Sequence, residues 1–234
     1  MNILIRADSS SYIGTGHIMR DLVLAKQYKN ENIIFATQDL VGNINHKIIE
    51  AGYKIELLKS NDFEELNDLI KKLKIDMIII DNYDIGYNFE KKLKEDNPSL
   101  KIFVLDDIYE KHFCDILLNH NIYADEKKYK NKVPENCELR CGAKYTLLRD
   151  EFLEAKKAKK RVKKKFKTIF LGLGGADHKN LNIKILKVLE KFRKSLKINL
   201  VTTTILAGIV FRAIFTSSPK NSLPSTKTFF TLSP

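Results

Sequence analysis

Short apolar runs and amphipathic stretches alternate through the first 120 residues of this 234-residue chain. "NILIR" (2–6), "NIIFAT" (32–37), "YKIELL" (53–58), "DMIIID" (76–81), "KIFVLD" (101–106) and "DILLN" (115–119) are continuous in Ile, Leu and Val rather than alternating with polar residues. Such runs suit strands covered on both faces. Between them, "HIMRDLVLAKQY", "NINHKIIEAG" and "FEELNDLIKKLK" space their apolar residues as helices do, with Gly52 placed to stop the second. Strands separated by helices predict an α/β fold with a doubly wound parallel sheet, whose strand C-terminal ends form the rim where ligands collect.

The pattern changes further along. Residues 150–167 read as a helix-rich connector, and "KTIFLGLGGADHKNLNIKILKVLEKF" followed by "KINLVTTT" restarts strand, loop, helix and strand. The expected organisation is therefore a first domain over 1–149, the connector over 150–167, and the start of a second domain over 168–204. Residues 205–234 contain no acid and three of the five prolines, without periodicity. They read as an aberrant, poorly ordered tail, out-of-frame translation appended to a truncated second domain. "ILAGIVFRAIF" within it is shorter than the ~20 residues of a membrane-spanning helix and is interrupted by Arg212.

Composition adjusts this picture only locally. The formal charge of +12 comes from 41 Lys and Arg against 29 Asp and Glu, and "KKAKKRVKKKFK" (156–167) carries nine positive charges with no acid. One basic patch beside a nearly balanced body, without an aromatic platform or reading motif, favours a solvated face over a nucleic-acid interface. Three cysteines, Cys114, Cys137 and Cys141, with no secretory leader, read as free thiols of a cytoplasmic protein. No second CxxC or paired histidines accompany them, so no metal site is assigned; no cofactor is expected, with a divalent metal left open.

Candidate chemistry concentrates in "ADSSSYIGTGHIMRDLVLA" (7–25), the turn from the first strand into the first helix. Gly14 and Gly16 permit close approach of a substrate. His17 falls in the first helical turn, where the positive end of the dipole disfavours imidazolium and leaves the ring available as a general base. The alternative is a histidine that caps the helix or hydrogen-bonds across the loop. Arg20 and Asp21 read as ordinary surface helix residues. Tyr83, after "DMIIID", faces the same rim or packs half-buried; Asp106 and Asp107 bind sugar hydroxyls or cap their loop. In "GLGGADHKN", Gly174, Gly175 and Asp177 precede a helix and either offer amides to a diphosphate or form a plain glycine-rich turn.

The stretch 6–25, together with "IIIDNYDI" (78–85), "VLDD" (104–107), "CDILLNHNIYA" (114–124), "RCGAKYTLLRDEF" (140–152) and "LGGADHKNL" (173–181), resembles the UDP-sugar hydrolases of the pseudaminic acid pathway. The resemblance runs in order over about residues 1–204. It implies a GT-B-like, MurG-like two-domain architecture, here with the C-terminal domain incomplete. It implies hydrolysis of UDP-2,4-diacetamido-2,4,6-trideoxy-β-L-altropyranose, with water attacking the anomeric carbon and inverting it. His17 then matches the catalytic base, Tyr83 a tyrosine lining the sugar pocket, and Gly174, Gly175 and Asp177 the nucleotide side. Nothing in 205–234 resembles the family's uracil- and ribose-binding residues. The expected partners are the UDP-sugar and water, with no nucleic acid, no membrane and a monomeric state. The competing readings are a UDP-sugar glycosyltransferase, an inactive fragment of the hydrolase, and a basic RNA-binding protein.

Overall fold

A computed structural model of the chain describes residues 1–158, 168–173, 181–192, 195–202 and 228–232. The chain divides into two compact units, Met1–Ala158 and Lys159–Pro234.

In the first unit, β1 (Asn2–Ala7), β2 (Asn32–Gln38), β3 (Lys54–Leu58), β4 (Met77–Asp81), β5 (Lys101–Leu105), β6 (Ile116–Asn119) and β7 (Glu138–Cys141) form one sheet. Their spatial order is β3-β2-β1-β4-β5-β6-β7, and every pair is parallel. The fold is thus the doubly wound α/β sheet that the apolar runs predict. Its order reverses between β1 and β4, the point at which such sheets open a ligand crevice. The seventh strand, "ELRC", has no counterpart among the expected strands; it is short and only Cys141 in it is buried, so it carries little apolar signal.

Alternation within the strands builds two cores. Leu4, Ile34, Ala36, Ile78, Ile80, Ile102 and Val104 pack on one face against Leu66, Leu69 and Ile70 of α3 (Phe63–Leu73) and Leu93 of α4 (Tyr87–Asp96). Ile3, Ile5, Ile33, Phe35, Met77, Ile79 and Phe103 pack on the other against Ile18, Leu24 and Ala25 of α1 (Gly16–Ala25) and Ile48 of α2 (Asn45–Glu50). A strand apolar on both faces has no polar side to show, hence the unbroken runs. α4 has no place among the expected helices because "YNFEKKLKED" buries only Glu90 and Leu93.

Arg6 continues the first face of β1 but ends the apolar series. It is fully buried, and its guanidinium forks onto Asp8 at 2.8 and 2.6 Å. Asp8 also accepts from the Gln38 backbone N–H (2.7 Å) and the Asn82 side-chain amide (3.0 Å), while Arg6 donates to Asn61. The C-terminal ends of β1 through β4 are tied together by this one ion pair, which gives the rim a fixed shape.

A second buried polar group lies below β5. His112 Nδ1 is 2.7 Å from Glu90 and its Nε2 is 3.8 Å from Asp106, which also accepts from the Tyr129 hydroxyl. Burial works against the imidazolium, but the two carboxylates more than offset it and push His112 up to about 9. Its folded pKa therefore exceeds the unfolded value near 6.5. The stability it adds is complete below pH 6.5 and is lost as pH rises through 9. Urea unfolding is expected to show about 3 kcal/mol of loss between pH 6.5 and 9.5 from this group. His112→Gln should be less stable at pH 6.5 and should flatten that decline; parallel curves for the two proteins would contradict the assignment.

The second unit contains β8 (Thr168–Gly172), α6 (Leu181–Leu189), β9 (Lys197–Thr202) and β10 (Thr228–Leu232). α5 (Asp150–Ala158), expected in the connector, belongs with the first unit. β8 and β9 pair in parallel, as the restart of the strand–helix pattern implies, around Leu171, Leu186, Ile198 and Leu200. Within the tail expected to be poorly ordered, β10 pairs antiparallel with β9. Residues 203–227, 233 and 234 lie outside the described residues. No described helix is long and apolar enough to cross a membrane.

Candidate active site

The loop from β1 to α1 closes on itself before the helix begins. Ser10 and Gly14 exchange backbone hydrogen bonds at 3.3 and 2.8 Å, and the Ser10 hydroxyl accepts the N–H groups of Tyr12 and Ile13. Gly14 makes this possible at φ +87°, a conformation other residues rarely adopt. The loop is also laced to the one after β2, where Gly42 stands so close that a Cβ there would lie 2.9 Å from the Ser11 nitrogen. Gly16, by contrast, opens α1 with nothing within 4 Å of an added Cβ. Its place is open space at the rim, with no local packing need for glycine.

α1 buries His17, Ile18, Asp21, Leu24 and Ala25, the i, i+1, i+4, i+7, i+8 stripe of a helix lying on a sheet. His17 and Asp21 occupy the rim end of that stripe. Across the switch point, Asp81 ends β4 in register with Ala7. His17 Nδ1 lies 2.7 Å from Asp81 Oδ1. Arg20 Nε donates to Asp81 Oδ2 at 2.6 Å, and Arg20 Nη2 donates to Oδ1. An ionised carboxylate can only accept, so the Nδ1–H points at Asp81, with Arg20 Nη2 3.3 Å from the same nitrogen, and Nε2 is the ring atom left for chemistry. Nε2 has no hydrogen-bond partner among the described residues.

The two buried aspartates at this point are shifted in opposite directions. Burial pushes Asp81 up, but hydrogen bonds from Arg20 and His17 outweigh it and hold the carboxyl below its ordinary value. Asp21 is fully buried, and neither of its oxygens has a hydrogen-bond partner. Burial, then the neighbouring Asp81 charge, raises it well above its ordinary value. Arg20 and Asp21 are therefore not the surface helix residues expected. The helical stripe places Asp21 inward, and Arg20 is drawn across the rim by Asp81.

The circuit closes through β5. Asp107 accepts from Arg20 at 3.3 Å and from the Tyr83 hydroxyl at 2.8 Å, and the Tyr83 ring meets His17 edge-on at a centroid distance of 5.1 Å. Tyr83 is 60% exposed, so the half-buried packing alternative does not hold. Burial and the Asp107 hydrogen bond push its hydroxyl up to about 12, keeping it a donor. The two aspartates after β5 separate cleanly. Asp106 turns inward and caps its loop through the N–H groups of Ile108 and Tyr109, whereas Asp107 faces the circuit.

His17 and Tyr83, both expected at the site, are brought together, with Gly14 and Gly16 on the loop that precedes His17. Gly174, Gly175 and Asp177 lie outside the described residues. Asp81 carried no role in the sequence reading. An acid closing a strand at the reversal of the sheet is the signal that could have found it, but only once the strand order is known. Among the described residues no group of three or more His, Cys, Asp or Glu side chains is arranged to hold a metal ion. Cys114, Cys137 and Cys141 are free thiols.

No family model matches the chain. Among curated proteins, the UDP-2,4-diacetamido-2,4,6-trideoxy-β-L-altropyranose hydrolase of Campylobacter jejuni is 44% identical over 191 residues, 82% of this chain and 66% of that protein. The chain is similar to this hydrolase over most of its own length. An uncharacterised protein of Methanocaldococcus jannaschii is 33% identical over 208 residues, 86% of this chain and 42% of its own length. The spore coat polysaccharide biosynthesis protein SpsG of Bacillus subtilis is 27% identical over 82% of the chain and 56% of its own. The chain thus spans less than two thirds of each of these relatives. Among solved structures, MurG of Acinetobacter baumannii matches over 81% of this chain and 57% of that one, with 13% identity and a TM-score of 0.49.

Proposed function

We propose that the chain carries the sugar-side catalytic groups of a nucleotide-sugar hydrolase acting on UDP-2,4-diacetamido-2,4,6-trideoxy-β-L-altropyranose, the substrate in the name of its Campylobacter jejuni relative. The observation that carries this reading is the His17–Asp81 pair at the sheet reversal, with Nε2 left free. In the proposed step, water attacks C1 on the face opposite the diphosphate. The C1–O bond to water forms as the C1–O bond to UDP breaks, and the bonding pair leaves with UDP. His17 Nε2 takes the water proton, and Asp81 stabilises the imidazolium that results, as a carboxylate does behind any catalytic histidine. The product is the free sugar with inverted configuration.

A buried Asp81 with two cationic or proton-donating partners suits this task. It fixes the ring without itself competing for the proton, because Arg20 lowers its basicity. Tyr83, held protonated with its hydroxyl on Asp107, sets an aromatic ring beside the base. In this reading Gly14 and Gly16 shape the floor on which the sugar rests.

A transferase would use the same base on an acceptor hydroxyl. Incubating the full chain with the UDP-sugar and no acceptor separates the two: UDP and free sugar should accumulate in equal amounts. UDP release only when a sugar or peptidoglycan-type acceptor is added would overturn the hydrolase reading.

A further inference from the structure

Beyond the circuit, a histidine on the same rim makes no side-chain hydrogen bond to any described residue. His120 follows the last residue of β6, on the C-terminal edge that carries His17 and Asp81. Its backbone is held in place: its carbonyl accepts from the Thr146 hydroxyl at 3.2 Å, and Asn119 Oδ1 accepts from Asn121 N–H and its side-chain amide. Its ring is half-buried and within electrostatic range of Arg20, Asp81 and Asp107. No described group hydrogen-bonds to either ring nitrogen. An imidazole that is partly desolvated, with both nitrogens unused and the backbone fixed on both sides, is arranged for something that arrives from solution.

From this placement we infer that His120 is a substrate-binding residue, hydrogen-bonding the uncharged polar groups of the sugar, hydroxyl or acetamido, on the same strand-end rim as His17. This rests on the hydrolase reading. Two observations select an uncharged group over the diphosphate. Burial and the nearby Arg20 charge lower the basicity of His120, so the ring offers one donor and one acceptor rather than a positive charge. The loops after β5 and β6 also expose Ile108, Ile122 and Tyr123, apolar surface suited to the methyl groups of a deoxy, N-acetylated sugar and of no use to a phosphate. The division of labour is then chemical: His17, backed by a carboxylate, handles the proton, and His120, near a guanidinium, handles recognition.

The test uses the full chain and follows imidazole signals by nitrogen-edited NMR. Adding UDP-2,4-diacetamido-2,4,6-trideoxy-β-L-altropyranose should shift the His120 resonances, and UDP alone should leave them in place. His120→Ala should weaken affinity for the UDP-sugar about tenfold, the loss of one neutral hydrogen bond with some contact area, with kcat and its pH profile unchanged. His120→Asn, which keeps a donor and an acceptor, should recover most of that affinity. His120 signals that move equally with UDP alone, or fail to move with the UDP-sugar, would overturn the inference. So would an unchanged affinity in His120→Ala, or a changed kcat and pH limb. Failure of the hydrolase reading has a different signature, UDP release only when an acceptor is added, and leaves the affinity comparison at His120 intact.

Discussion

His17→Ala is expected to lower turnover of the UDP-sugar by roughly two to four orders of magnitude, the usual cost of removing a general base. Affinity should change little, because in the proposed step the ring meets the attacking water rather than the sugar. Stability should also survive. His17 is buried at the rim end of the helical stripe, but Ile18, Leu24 and Ala25 carry the packing of that helix on the sheet. A steady-state assay together with a thermal melt checks both halves of this expectation. Near-normal kcat with an unaltered melt would remove His17 from the proton transfer.

Asp81→Asn is the second large effect, and it should act on two quantities. The amide cannot hold the ring with Nδ1–H toward it as a carboxylate does, nor stabilise the imidazolium, and an equivalent change in a Ser-His-Asp triad costs ~10,000-fold. A loss of roughly three orders of magnitude or more in kcat is expected here. Arg20, with its side chain only 16% exposed, also loses the nearer of its two carboxylate partners and keeps Asp107, so the variant should melt at a lower temperature as well. Because Asp81 works through His17, the effects on kcat should not multiply. The double variant His17→Ala/Asp81→Asn should turn over no more slowly than His17→Ala alone. Multiplicative losses would mean that Asp81 has a separate part in the chemistry.

Much of this arrangement is visible in the amino-acid order, and the pattern of what is hidden has a physical cause. Six of the seven strands in the first unit announce themselves, since a parallel strand packed on both faces must be apolar throughout. β7 and α4 stay hidden because an edge strand and a mostly solvated helix bury too few side chains to leave a period. His17 and Tyr83 are readable one at a time, each from its place just after a strand. Their partners are not. Asp81 meets His17 across 64 positions of sequence and Asp107 meets Tyr83 across 24, and neither contact exists until β4 is laid beside β1 and β5 beside β4. Arg20 and Asp21 show the same limit within a helix. Local pattern makes them polar, and only the packed stripe shows that one is buried outright and the other held across the rim by a carboxylate.

The polar groups also divide by function in a way that burial alone does not foretell. The Arg6–Asp8 and His112–Glu90 pairs are enclosed, with only Arg6 Nε and His112 Nε2 left without a hydrogen bond, and they hold the rim and the loop after β5. His17 and His120 each leave a nitrogen unsatisfied at the open edge. Closed networks position the rim, and the open nitrogens are where chemistry and recognition have room to act.

Water attack on the sugar carbon, with the base beside it, is the step from which everything else follows, and an oxygen label reports on it directly. Turnover in ¹⁸O-enriched water should place the label on C1 of the released sugar and leave UDP unlabelled, as mass spectrometry of the two products would show. Label in the terminal phosphate of UDP, with none on the sugar, would mean that the P–O bond breaks instead, and the proposed place of His17 at the anomeric carbon would be wrong.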